Sequence, residues 1–209
     1  MDDSSTWKLI HAERAAVADQ LSELSAAQWA APSLCGDWSV RVAAGHILAG
    51  AEQTKGGFAK GMLTNAFRFN RMIDRQAHAA AELGPAEIIE RLRARTGTTN
   101  GPPAPVMTML GEVVVHGGDI RHPHRIAGTT TPEALVACLE MYKDANFPVG
   151  TKKRIAGLRI VADDVGWSHG EGPEVHGPAA PLLLAITGRP GALGDLSGDG
   201  LATLRDRMS

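Results

Sequence analysis

Glu112 and His116 stand four residues apart in the run Gly111-Glu112-Val113-Val114-Val115-His116-Gly117-Gly118-Asp119-Ile120-Arg121. On a helix that spacing puts a carboxylate and an imidazole on one face, one turn apart. Met107, Leu110, Val113, Val114 and Val115 surround the pair with apolar side chains. An ionised carboxylate in such surroundings is costly unless it is paired or bound to a cation. Two readings follow. The pair is half of a metal site, with the His-first order of zinc helices reversed, or it is a buried Glu–His hydrogen bond. A second helix bears on the choice. From Val40 to about Gln53 the chain is apolar nearly all round, and His46 is the one ionisable side chain in its middle. Alone, such a histidine is a satisfied core residue; beside Glu112 and His116 it is a third ligand. Two imidazoles and one carboxylate leave a coordination position open, as in catalytic zinc sites. A cation there lowers the pKa of a bound water or thiol and makes a nucleophile at neutral pH.

These side chains have to be positioned by helices, and the periodicity supplies them. Trp7, Ile10, Val17, Leu21 and Leu24 recur at helical spacing, predicting an amphipathic helix over about 5–24. Ser25-Ala26-Ala27-Gln28 fits a capping box that opens a short helix ended by Pro32. Gly36 and Asp37 make a tight turn, and Ser39 caps the helix of His46. Residues 54–66 are poorly periodic. Phe67 to Leu83 reads as a helix stopped by Gly84, and Pro85 opens another at its first position. The Thr96 to Pro105 stretch is a loop by composition and leads into the Glu112 helix. His78 is expected on the surface, and His122-Pro123-His124 at a solvated helix end. Thr131-Pro132-Glu133 starts a helix running to about Asn146, with Cys138 as a small core hydrophobe.

Composition changes near Phe147-Pro148-Val149-Gly150. Beyond it Leu158, Ile160 and Ala162 alternate with Arg159, Val161 and Asp163, which is strand periodicity. Trp167-Ser168-His169 and Val175-His176 give two more short strands. An apolar helix over Ala179 to Thr187 and a last one from about Asp199 to Met208 complete the reading. The expectation is a mainly α chain: a helical bundle over 1–150 and a small α+β domain over 151–209.

With 209 residues, 44% of them hydrophobic, the chain can bury an ordinary core. A net charge of −2 and few aromatics argue against nucleic acid as the partner. No apolar run reaches membrane-spanning length, and Met1-Asp2-Asp3-Ser4 is unlike a signal peptide. Cys35 and Cys138 are too few and too far apart for a disulfide framework, so a reducing, cytoplasmic setting is expected. A monomer or homodimer is expected.

Leu34-Cys35-Gly36-Asp37-Trp38-Ser39-Val40-Arg41, Gly45-His46-Ile47-Leu48 and the run from Gly111 to Arg121 together resemble the mycothiol-dependent maleylpyruvate isomerase family. That family belongs to the DinB-like four-helix-bundle metalloproteins. The tail is similar too: Asp164-Val165-Gly166-Trp167-Ser168, Gly177-Pro178-Ala179-Ala180, Thr187-Gly188-Arg189-Pro190 and Leu196-Ser197-Gly198-Asp199-Gly200 resemble the family's small C-terminal domain. The resemblance implies a divalent metal, zinc by preference, held by His46, Glu112 and His116, with mycothiol as thiol cosubstrate. It implies that Asp119 orients a ligand histidine or anchors the thiol, and that Arg189 clamps a substrate carboxylate; from the residues alone, these are a helix-end partner of Arg121 and a turn arginine. The implied reaction is cis–trans isomerisation of a small unsaturated acid. The thiol adds to a conjugated double bond, the resulting single bond rotates, and the thiol leaves. Related members transfer the thiol to an electrophile instead. The chain departs from the family at Gly118, where a bulky residue is common, and in the extra imidazoles of His122 and His124. A hydrolase using metal-bound water, or a non-catalytic small-molecule-binding bundle, fits the same three ligands. Cys35 precedes His46 by some three helical turns, on the order of 10–15 Å. That distance is too long for a metal–sulfur bond, so the thiol is expected from outside.

Overall fold

The first helices of this protein begin where a side chain can satisfy the first free amide groups. In the computed structural model, which describes residues 1–208, Asp2 accepts from Ser5 N to open α1 (Asp3–Ser22). Ser25 and Gln28 close a reciprocal capping box on α2 (Ala26–Ala30). Ser39 caps α3 (Val40–Glu52), and Thr54 caps α4 (Lys55–Thr64). The helices α5 (Phe69–Ala81) and α6 (Pro85–Arg95) follow, the latter with proline at its first position. The helix α7 (Val106–Arg121) carries the Glu112–His116 pair and ends in a 3-10 turn, His122–His124.

The chain divides into two compact units, Met1–Ile120 and Arg121 onward. The division falls at the end of α7, so the boundary expected near residue 150 lies within the second unit. The next helix, α8 (Pro132–Tyr142), belongs with the C-terminal unit: it packs against α10 (Ala179–Ile186), and Trp167 Nε1 donates to Glu140 Oε1. The break in composition at 147–150 marks only where helix gives way to strand.

The N-terminal unit is helical throughout. Its tightest packing is between α3 and α5. A Cβ on Gly45 would lie 2.6 Å from Ala77 O and 2.8 Å from Ala81 N, so only glycine allows this approach. Val42, Ala77 and Ala81 are buried at the contact, with Trp38 against them. The helix α1 packs on α6, and α6 on α3. The stretch read as poorly periodic is α4, a correction with a simple cause. It buries none of its residues, so its sequence carries no apolar stripe.

In the C-terminal unit a four-residue helix, α9 (Thr151–Arg154), precedes the sheet. The strands β1 (Arg159–Ala162), β2 (Trp167–His169) and β3 (Glu174–Gly177) order as β2-β1-β3. The central β1 pairs antiparallel with β2, with Ile160 opposite His169, and parallel with β3, with Ile160 opposite Val175. Ile160, Ala162 and Val175 are buried on alternate positions, as the strand periodicity predicts. The helix α10 is nearly all buried, a 3-10 segment spans Pro190–Asp195, and α11 (Leu201–Asp206) ends the described chain. The mainly helical fold with a small C-terminal sheet is therefore as expected. No helix among the described residues is long and apolar enough to cross a membrane.

Candidate active site

The three residues singled out for ligation come together within the N-terminal unit. His46 Nε2 on α3 lies 3.3 Å from Glu112 Oε1 on α7. The His46 and His116 rings meet edge to face, with centroids 4.4 Å apart. His46 is buried at 5% exposure. Gly50, one turn along α3 from His46, is what lets the carboxylate in: a Cβ there would lie 2.5 Å from Glu112 Oε1. The Glu112 side chain keeps a third of its surface. That surface opens into a narrow pocket lined by Arg14, Ile47, Gly50, Ala51, Met109 and Val113. Burial pushes the Glu112 carboxyl above its usual range, against the pull of His116 and Arg14.

Asp119 is wholly buried, and its Oδ2 lies 2.8 Å from His116 Nδ1. A carboxylate on Nδ1 fixes the ring's orientation and favours the tautomer whose Nε2 is the acceptor. Arg121 Nη1 donates to Thr130 Oγ1.

Cys35 is the correction within the site. Its Sγ, a nitrogen of His116 and a carboxylate oxygen of Asp119 all lie within 4.8 Å of one another. The estimate of 10–15 Å measured back along the axis of α3, but the chain does not continue that axis. Gly36 takes φ +56°, Trp38 N donates to Cys35 O, and Ser33 N donates to Trp38 O. The loop therefore folds back, and Leu34 N fastens it to Asp119 O at 3.0 Å. Cys35 thus sits beside the far end of the His116 turn.

Two residues went without a role in the sequence reading. Trp38, between Cys35 and α3, lies over both imidazoles, with ring centroids 5.1 Å from His46 and 6.0 Å from His116. Its Nε1 donates to Asp74 Oδ1 on α5 at 3.0 Å. Arg14 on α1 is 2% exposed and donates from Nη1 to Thr98 O at 3.1 Å. Burial pushes its guanidinium down to about 10, against the opposing pull of Glu112. The signal for Arg14 was there: residues 10, 14, 17 and 21 share one helix face, and only one of the four is charged.

Arg189, the remaining expected residue, lies in the C-terminal unit. It follows Gly188, whose φ of +101° ends α10, and is 8% exposed. Its Nη1 donates to Thr187 O at 2.9 Å. The Arg154 guanidinium is near enough to feel its charge. Burial first, and Arg189 second, push Arg154 below its ordinary value. His78 is exposed and pairs with Asp74. His122 Nε2 lies 2.6 Å from Asp195 Oδ2 within the C-terminal unit.

Among the described residues, the three side chains whose ligand atoms all lie within 4.8 Å of one another, and which could hold a metal ion, are Cys35, His116 and Asp119. Two ligands at about 2.0 Å in tetrahedral geometry stand about 3.3 Å apart, which is the His46–Glu112 separation.

A helical bundle that gathers imidazoles and carboxylates from two of its helices is the class that the fold and site define. Residues 10–100 match the family model described as the mycothiol maleylpyruvate isomerase N-terminal domain. The match includes His46 and ends before α7. Two solved structures share the fold. A mycothiol-dependent maleylpyruvate isomerase superposes with a TM-score of 0.60 at 14% identity, covering 95% of this chain and 93% of that one. A variant of such an isomerase with one histidine replaced by alanine gives 0.57 at 15% identity, with the same coverage. No curated protein matches the chain in sequence.

Proposed function

We propose that the protein is a thiol-dependent isomerase acting on a small unsaturated acid, with mycothiol as cosubstrate and a divalent cation held by His46, Glu112 and His116. One observation carries the reading: two helices far apart in sequence bring His46 Nε2 and Glu112 Oε1 to 3.3 Å, with the His116 ring against His46. Zinc is the cation that the nitrogen and carboxylate donors favour. When bound, it would supply a Lewis acid that keeps the thiol sulfur deprotonated at neutral pH.

The chain's own residues do the rest. Asp119 holds His116 by Nδ1, so that Nε2 faces the site. Trp38 packs against both imidazoles. Arg14 offsets the Glu112 charge from within α1. Arg189 would receive the substrate carboxylate in its planar fork. Arg189 is 8% exposed, and Arg154 lies near enough for the two charges to act on each other.

Metal analysis of purified protein, followed by turnover of maleylpyruvate in protein dialysed free of small thiols, tests the reading. The expected result is one divalent ion per chain and no isomerisation until thiol is added. A His116→Ala variant should lose at least about tenfold in metal affinity. Equal turnover with and without thiol would overturn the proposal in favour of a hydrolase, and full metal content in the variant would overturn the ligand set.

A further inference from the structure

The C-terminal unit carries a second arrangement of side chains that the isomerase reading does not use. Ser197 Oγ lies 3.3 Å from His176 Nε2, and His176 Nδ1 lies 3.3 Å from Asp163 Oδ2. We propose that Ser197, His176 and Asp163 form a serine-nucleophile relay that reacts with small, accessible acyl esters. It shares no residue with the His46–Glu112–His116 cluster.

The order of contacts is the one that activates a serine. Asp163 on Nδ1 favours the tautomer with its proton on that nitrogen. The Nε2 lone pair is then the acceptor for the Ser197 hydroxyl proton. Both separations are at the long end of hydrogen bonding, as is common before an ester binds.

The backbone puts the three groups there. The strands β1 and β3 run parallel, with Ala162 opposite Gly177, and Asp163 N donates to Gly177 O at 3.0 Å. The carboxylate is thus fixed at the end of β3, beside His176. His176 and Ser197 exchange both backbone hydrogen bonds, each 2.9 Å, which makes them a directly opposed antiparallel pair. Opposed residues project their side chains on the same side. Gly198 completes the turn. Its φ is +111°, and a Cβ there would run into Glu174 O and lie 3.1 Å from His176 Cδ2. Only glycine lets the chain pass beneath the imidazole and enter α11. By analogy, hydrolase nucleophiles also sit at a sharp strand-to-helix turn.

The chemistry closes on itself. Ser197 Oγ bonds to the ester carbonyl carbon and gives its proton to His176 Nε2. The carbon–alkoxy bond breaks, and the alkoxide leaves with that proton. Water then attacks the acyl-serine; its proton passes to Nε2 and on to Ser197 Oγ as the free acid departs. The Ser197 residue is exposed, and the His176 and Asp163 side chains keep 41% and 53% of their surface. An ester can reach them, but nothing encloses it, so slow turnover and an observable acyl-serine are expected.

The full-length protein is incubated with p-nitrophenyl acetate and, separately, with a fluorophosphonate probe. The expected results are an adduct mapping to Ser197 and nitrophenolate release that chelators leave unchanged. Ser197→Ala and His176→Gln should each lower that release by about tenfold or more, with helical circular dichroism retained. Labelling only at other residues, or a Ser197→Ala rate within about twofold of wild type, would overturn the proposal and leave a hydrogen-bond chain that ties the turn to the sheet. If Ser197→Ala fails to fold, the adduct map of the wild-type protein decides.

Discussion

Replacing Gly50 by alanine tests the site at its tightest point. The new Cβ would lie 2.5 Å from Glu112 Oε1, whereas ordinary contact begins at 3.4 Å. The oxygen must therefore retreat by the difference, about 0.9 Å. That oxygen is the one 3.3 Å from His46 Nε2. Ligand distances in metal sites tolerate about 0.2 Å, so the shift is several times what coordination allows. A loss of at least about tenfold in cation affinity follows. The same substitution helps the helix, because Gly50 is interior to α3 and needs no positive φ. Alanine there is worth up to about 1 kcal/mol in helix propensity. The two effects have opposite signs, which separates a displaced ligand from a damaged fold. Chelator competition reads the affinity, and thermal melting in excess chelator reads the metal-free stability. Affinity within about twofold of wild type would refute the assignment of Glu112 as a ligand. So would an affinity loss matched by a fall in metal-free melting temperature.

Gly45→Ala is expected to behave differently, because its Cβ meets backbone rather than a mobile side chain. Overpacking between α3 and α5 should cost about 1–3 kcal/mol, read as a lower urea midpoint. The hydrogen bonds from Lys143 and then Trp167 hold the Glu140 carboxyl below its ordinary value. A depressed carboxylate adds stability above its unfolded pKa and loses it as pH falls through the folded one. Acid titration below pH 4.5, the ordinary value, should thus destabilise the wild type more steeply than Glu140→Gln. Cys35→Ser should retain most of the thiol-dependent turnover if, as proposed, the nucleophilic sulfur comes from the cosubstrate; loss of that turnover would assign the work to Cys35.

Much of the fold was legible because its elements announce themselves locally. Ser25 and Gln28, Ser39, Thr131 and the N1 prolines of α6 and α8 mark helix starts by groups that lie within three residues of the end they cap. The alternation through Leu158 to Ala162 marks β1 because one face of the strand is buried. The α4 helix was illegible for the matching reason: it buries no face, so no period is imposed on it. The unit boundary at 120/121 was illegible because it interrupts no pattern. Composition tracks the kind of element, and α8 is as helical in the C-terminal unit as it would be in the bundle.

The site divides along the same line. Glu112, His116 and Asp119 share the 3.6-residue period of one helix, so their mutual geometry is written in their spacing. His46 was found by a contrast, one ionisable group in an apolar helix. Trp38 and Cys35 reach the imidazoles through a turn whose direction depends on Gly36 and on a hydrogen bond from Leu34 to Asp119, 85 residues along the chain. Helical arithmetic fails at the first residue that leaves the helix, and for Cys35 it failed by turning a close neighbour of His116 into a distant one. Gly50 shows the reverse case. A glycine inside a helix costs stability, and its cause here is a carboxylate from another helix needing the space. In a buried helix that also carries a lone histidine, such a glycine points to where a partner side chain enters.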